Sequence, residues 1–242
     1  LGRADIPIGI GYLNNEDIGP QYDYAYDYEL SSYPGTIHED GIQAMIDTIR
    51  SQSVITVLEL APSTNFAEVI IREPELVEEK VRLVTMGGSI YRGYNNSNTP
   101  TAEYNVASNV TAAQIMFSTN FERVKILAAP LDTAGLVFIA GNNYEKLVNA
   151  RSTNALVNAI LENYYYSVGG HSAVVSTVLC DVEAAQMVFS EEYLDNALLP
   201  VVVNNAGYTI VDYENGSVVM WALYWNGLVE FDTAVTNRLL SW

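Results

Sequence analysis

The sequence predicts an α/β fold: an open, mostly parallel, Rossmann-like sheet flanked by helices, with an antiparallel hairpin at its C-terminal end. Three observations point there. Short apolar runs of strand type alternate with helix-type periodicity through the first two-thirds of the chain, the pattern of α/β units. At 242 residues, 49% apolar and 17% charged, the chain suits one well-buried core, so residues 1–242 read as a single domain. In the last third, β-branched and aromatic runs are broken by Asn204-Asn205-Ala206-Gly207 and Glu214-Asn215-Gly216, which are turn signals of antiparallel pairing.

Taken in order, residues 6–10 form a short apolar run and 40–50 carry a helical pattern. Residues 54–60 (VITVLEL) read as a strand and 63–72 as a helix, with Ser63 placed to accept the first free amides and Pro74 to stop it. Residues 81–86 (VRLVTM) are a strand, 110–118 a helix capped by Asn109, and 124–129 a strand. Helices follow at 154–165 and 181–190. Strand-type segments at 200–204, 208–213 and 217–225 make the hairpin appendage, and a last helix at 228–240 is expected to pack back on the sheet.

Composition excludes several function classes. Three Lys and eight Arg against 29 acids give a formal charge of -18, so a phosphate backbone would be repelled over most of the surface, and nucleic-acid polymers are not expected partners. No apolar run reaches a membrane-spanning length, and the N-terminus does not resemble a signal peptide. The lone Cys180 rules out an internal disulfide and a cysteine-based metal cluster. Sequons at Asn95, Asn109 and Asn215 would suit a soluble, secreted protein, although about that number is expected by chance in so Asn-, Ser- and Thr-rich a chain.

The stretch 86–105, MGGSIYRGYNNSNTPTAEYN, carries the most chemistry. Gly87-Gly88 lets the backbone turn sharply at a strand end, and Glu103 and Asn105, alternating across Tyr104, would point the same way in an extended segment and grip adjacent hydroxyls. A solvated polar loop is the alternative. Tyr22, Tyr24, Tyr26 and Tyr28 alternate along a Gly- and Pro-containing segment that could cover a pocket and stack on a flat ring, or simply pack on the body or an oligomer contact. His38 precedes a helix start and His171 follows Gly169-Gly170, positions that ordinary capping or surface roles also explain.

Four segments, VITVLELAPSTNFAEVI (54–70), VRLVTMGGS with TAEYN (81–105), VKILAAPLDTAGLV (124–137) and STVLCDVEAAQMVFSEEYL followed by LLPVVV (176–203), together resemble the inosine-uridine preferring nucleoside hydrolase family over nearly the whole chain. The resemblance implies cleavage of the N-glycosidic bond of ribonucleosides with a bound calcium ion. It implies a ribose grip by Glu103 and Asn105, with Asn98 as a further contact, and calcium ligation by the Leu60 carbonyl and the Asp181 carboxylate. From the residues alone, Asp181 reads as the N-cap of the helix that follows, and the two roles are compatible. Cys180 stands where the family carries a His near the leaving base, leaving His38, His171 or a tyrosine of the 22–28 segment as available donors.

The family's N-terminal D-x-D-x-G-x-D-D cluster, which supplies most calcium carboxylates and the general base, has no counterpart here. One aspartate and one carbonyl cannot satisfy a cation wanting about six to eight oxygens. The resemblance therefore implies an incomplete domain, its N-terminal piece expected as a separate or cleaved polypeptide or outside this sequence. The expected partners are a small ribonucleoside, further copies of the chain as a homo-oligomer, and that N-terminal polypeptide. The alternative is a non-catalytic structural or binding protein of the same fold, favoured by the absent cluster and by Cys180. A thiol nucleophile pairing Cys180 with His171 is a third and weaker reading, since a cysteine within Val178-Leu179-Cys180 suits inert core.

Overall fold

The strand at Val81–Met86 is buried almost throughout, as a run without alternating polarity must be when both faces of a sheet are covered. In the computed structural model, which describes residues 2–12, 26–121, 126–167 and 174–242, this strand anchors the architecture. The elements in order are β1 (Ile8–Gly9), β2 (Ile37–His38), α1 (Gly41–Ser51), β3 (Ile55–Glu59), α2 (Thr64–Arg72), α3 (Pro74–Lys80), β4 (Val81–Met86), α4 (Tyr104–Ser108), α5 (Val110–Ser118), β5 (Leu127–Ala129), α6 (Leu131–Ala134), α7 (Gly141–Ala150), α8 (Ala155–Ser167), α9 (Cys180–Met187), β6 (Leu194–Val203), β7 (Thr209–Val211), β8 (Ser217–Trp225) and α10 (Leu228–Leu240).

The main sheet has six strands in the order β3-β4-β5-β8-β6-β7. Strands β3, β4, β5 and β8 run parallel, and β6 is antiparallel to both β8 and β7. The antiparallel segments are therefore no appendage: β8 sits inside the sheet against β5, and only β6 and β7 extend it. Turn signals report local pairing and carry no information about which distant strand completes a sheet. A second correction concerns residues 6–10. Only Ile8–Gly9 is extended there, paired with Ile37–His38 in a separate two-stranded sheet.

Helices cover both faces. Along α1, Ile42, Ile46 and Ile49 recur at helical spacing and are buried with Phe66 and Val69 of α2 and Met116 and Phe117 of α5 against Leu83, Val219 and Trp221. The Phe117 and Trp221 rings stack with centroids 5.6 Å apart. On the other face, Ala184 and Met187 of α9 meet Val84, Met86, Leu127 and Ala129. Asp40 and Asn109 cap α1 and α5 by accepting from the amides of Gln43 and Ala112. Ser63 does not cap α2: its hydroxyl donates instead to the buried Glu59 carboxyl, 3.1 Å away. Pro74 does follow the end of α2, and it also opens α3 at a position where its missing N–H costs nothing. Helix α10 packs mainly on α7 and α8, reaching the sheet where Phe231 lies 4.8 Å from the Trp225 ring.

One contact fixes the direction of α9. Arg82, near the start of β4, donates to the carbonyls of Met187 and Val188 at the C-terminal end of α9, both at 3.1 Å. The helix thus runs antiparallel to β4, which carries its N-terminus, with Cys180 and Asp181, to the carboxyl edge of the sheet. No helix among the described residues is long and apolar enough to cross a membrane.

Candidate active site

Register brings the carboxyl ends of the parallel strands level. Glu59 lies opposite Thr85 and Met86 opposite Ala129, so the segments after β3, β4 and β5 leave the sheet side by side. After β4 the chain turns through Gly88 at φ 90, a left-handed backbone that glycine adopts without strain. A Cβ there would also sit 2.9 Å from the Trp221 ring, so both conformation and space demand glycine. The loop beyond is tied down from two sides. Asp132, buried at the start of α6, accepts from the amides of Ile90 and Tyr91 at 2.8 and 2.7 Å. Thr209 of β7 accepts from the Ser89 amide and donates to the Ser89 carbonyl, both at 2.9 Å.

Glu103 is 3% exposed and ends this loop. Its carboxylate accepts from the amides of Asn105 and Val106, making it the N-cap of α4, and from the Gly88 amide at 3.1 Å. The expected extended arrangement of Glu103 and Asn105 is thus replaced by a helix start. Asn105 turns back and donates to the Met86 carbonyl at 3.0 Å. Both side chains still meet at the end of β4, joined through the backbone rather than pointing side by side.

Asp181 lies in the first turn of α9. The N-cap is Leu179, and Asp181 makes no cap bond, because the helix begins two residues earlier than the N-cap reading requires. Its charge nevertheless reaches Glu103. Burial pushes the Glu103 carboxyl up, three backbone N–H groups pull it down, and Asp181 pushes it up again. Asp181 is itself raised by burial. The acid of the loop and the acid of α9 therefore share one edge of the molecule.

Other expected residues are distributed unevenly. Leu60 directly follows β3 on the same carboxyl edge and is partly exposed. Asn98 is exposed on the loop rim. The Cys180 thiol is pushed up to about 12, by burial first and then by the charges of Asp181, Glu103 and Glu183, which argues against a thiolate nucleophile. His38 lies on β2, exposed. Tyr26 and Tyr28 are exposed, while Tyr22, Tyr24 and His171 lie outside the described residues.

Four further groups crowd the edge that sequence reasoning did not single out: Asp132, Glu59, Glu183 and Tyr94. Glu59 is pushed up to about 7 by burial, against the pull of Ser63 and Thr85. Glu183 is fully buried on α9 and pushed up to about 8 by burial. One carboxyl oxygen of Glu183 contacts the Thr133 hydroxyl at 2.7 Å, and the other has no partner. Tyr94, in a short turn of the loop, accepts from the Tyr104 amide at 2.8 Å. The Pro130-Leu131-Asp132 sequence at a strand end was the available signal for Asp132; burial of Glu183 depends on distant packing and leaves none.

The described residues contain no cluster of three or more His, Cys, Asp or Glu that could hold a metal ion. Asp181 and a Leu60 carbonyl fall short of a calcium shell, so these residues do not by themselves fit the ion.

A buried acid on a helix N-terminus, an amide tied to a strand-end carbonyl and a second acid above the carboxyl ends of parallel strands define an open α/β protein. Such proteins bind small ligands at that edge. Residues 9–234 match the profile of the inosine-uridine preferring nucleoside hydrolase family, and the chain belongs to that family. It is 30% identical over 164 residues to a non-specific ribonucleoside hydrolase RihC of Salmonella paratyphi B, covering 66% of this chain and 51% of the relative. A RihC of Klebsiella pneumoniae is 32% identical over 123 residues, covering 50% and 38%. The chain thus spans about half the length, or less, of the curated relatives it matches. Among solved structures, a plant nucleoside hydrolase superposes with TM-score 0.80 at 19% identity, covering 100% of this chain and 82% of its own. A purine-preferring ribonucleoside hydrolase from Gardnerella vaginalis gives 0.75 at 15%, covering 96% and 78%. At these identities the structures establish the shared fold.

Proposed function

We propose that the protein hydrolyses the N-glycosidic bond of ribonucleosides, releasing ribose and free base. The observation that carries this reading is the seating of Glu103 and Asn105 at the end of β4, with Asp181 close enough for its charge to act on Glu103. Family membership supports it. Asn98, exposed on the loop rim, would be an additional ribose contact in this reading.

In overall balance, a water oxygen bonds to C1' of the ribose as the C–N bond breaks, its electron pair goes to the base nitrogen, and the water's proton is passed on. The bond opens through an oxocarbenium-like state, as in glycoside hydrolysis generally. Glu103 and Asn105 would orient the sugar, the acid by its fixed position on three backbone amides and the amide by its bond to the strand end. The family resemblance implies calcium, for which Asp181 and the Leu60 carbonyl would be two ligands; no further ligand and no general base is assigned among the described residues. Assembly as a homo-oligomer belongs to the same reading.

The test is product analysis. The full-length protein with millimolar calcium is incubated with inosine and with uridine, and free ribose is measured. Release that disappears in Glu103→Ala and on chelation supports hydrolysis. No release, combined with a large assembly that binds no ribose, would favour the non-catalytic alternative.

A further inference from the structure

We propose that the Tyr94 hydroxyl is the hydrogen-bond donor to the departing base, taking the place that a thiol at Cys180 cannot fill. This inference rests on the hydrolase reading above. Its ground is the placement of Tyr94 beside the sugar grip: its hydroxyl oxygen accepts from the amide of Tyr104, the residue after Glu103, at 2.8 Å. Glu103 first and Cys180 second act electrostatically on the phenol. Tyr94 is 43% exposed, so part of the side chain is open to a ligand.

The hydrogen bonding of Tyr94 leaves its proton available. Its oxygen accepts from the Tyr104 amide at 2.8 Å, which occupies a lone pair, and its own O–H meets no acceptor among the described residues. The turn that carries it is held by its own backbone hydrogen bonds. The Gly93 amide donates to the Ser97 carbonyl at 3.0 Å and the Ser97 amide to the Tyr94 carbonyl at 3.2 Å, while Asn95 and Asn96 both adopt left-handed φ of 56. A Cβ on Gly93 would lie 2.5 Å from the Thr99 carbonyl oxygen, so this close return of the chain requires glycine. The Thr101 amide donates to the Ser89 hydroxyl at 3.0 Å and closes the loop on itself.

The chemistry suits the position. As the C–N bond breaks, negative charge develops on the base, and a fixed neutral donor stabilises that charge more than it stabilises the intact nucleoside. The Tyr94 phenol, pushed up to about 12 by burial first and then by the Glu103 charge, stays protonated at any working pH. It donates without ionising, and the base takes its final proton from water. Among the other donors considered, His38 stands on the separate two-stranded sheet and the Cys180 thiol is a weak donor.

The experiment uses the full-length, calcium-loaded protein and its Tyr94→Phe variant on two substrates, uridine and 4-nitrophenyl β-D-ribofuranoside. The nitrophenolate leaves without help, whereas the base does not. The expected result is a kcat for uridine lowered by about 10²-fold, with KM little changed and the nitrophenyl riboside affected by less than about threefold. Preserved turnover of the nitrophenyl riboside also reports that the variant is folded. An equal loss on both substrates would overturn the proposal in favour of a purely structural role through the Tyr104 amide and the start of α4, and so would no loss on either. Failure of the unmodified protein on both substrates would instead remove the hydrolase reading, and this assignment with it.

Discussion

Replacing Glu183 by Gln should make the protein more stable at alkaline than at acidic pH relative to the parent, and the reason lies in one hydroxyl. The Thr133 oxygen lies 2.7 Å from a Glu183 carboxyl oxygen and 2.9 Å from the Ala222 carbonyl oxygen. A hydroxyl has one proton, so Thr133 can donate to only one of these two oxygens at a time, and the second Glu183 oxygen has no partner. So thin a set of donors leaves the carboxyl protonated, in keeping with a group pushed up to about 8 by complete burial. The folded protein then holds a proton that the unfolded chain releases above about 4.5. Stability falls as pH rises through this window, at about 1.4 kcal/mol per pH unit for one fully shifted group. Across the interval from 4.5 to about 8 the ceiling is on the order of 5 kcal/mol. Glutamine carries its own N–H donor and needs no proton. Glu59 and Asp232, pushed up by burial to about 7 and about 6, act in both proteins and cancel in the difference. Urea unfolding at pH 5 and pH 8 in chelating buffer should show the variant gaining on the parent by roughly 2–4 kcal/mol between the two. A stability difference that does not change with pH would refute the reasoning.

Three other outcomes are expected. Gly88→Ala should lower stability by about 1–3 kcal/mol and displace the loop, since a Cβ would meet the Trp221 ring while the backbone holds φ 90, and thermal melts would read the loss. Asp132→Asn should cost about 1–3 kcal/mol, because an amide can accept from only one of the Ile90 and Tyr91 amides and turns a donor on the other; the melting temperature reports it. Asn109→Ala removes the cap of α5 and its bond to the Thr64 hydroxyl, and should cost about 1 kcal/mol in urea unfolding without altering ribose binding.

Much of the fold was legible where local chemistry decides it. The strand at Val81–Met86 and the helix at Val110–Ser118 match the expected bounds, the first because an unbroken apolar run suits a strand covered on both faces, the second because Asn109 marks its start. Helices α3, α4, α6 and α7 were not singled out. The first three are too short for a clear period, and Gly141–Ala150 (GNNYEKLVNA) is polar and buries only Tyr144 and Leu147. The strand order was hidden because the partnership of β8 with β5 is a long-range choice. In the site, Glu103 and Asn105 were recognisable from their motif, yet their geometry was not: glutamate is an uncommon N-cap, and it serves here because the Gly88 amide shares the carboxylate. Glu183 was invisible because its burial comes from α6 and β8, which lie far away in sequence.

The most direct test of the central claim is calorimetric titration of the full-length, calcium-loaded protein with ribose, comparing Glu103→Ala and Asp181→Ala with the parent. If the two acids serve one sugar-binding edge, the parent binds ribose and each substitution abolishes the heat of binding. Undiminished binding in either variant would contradict the account.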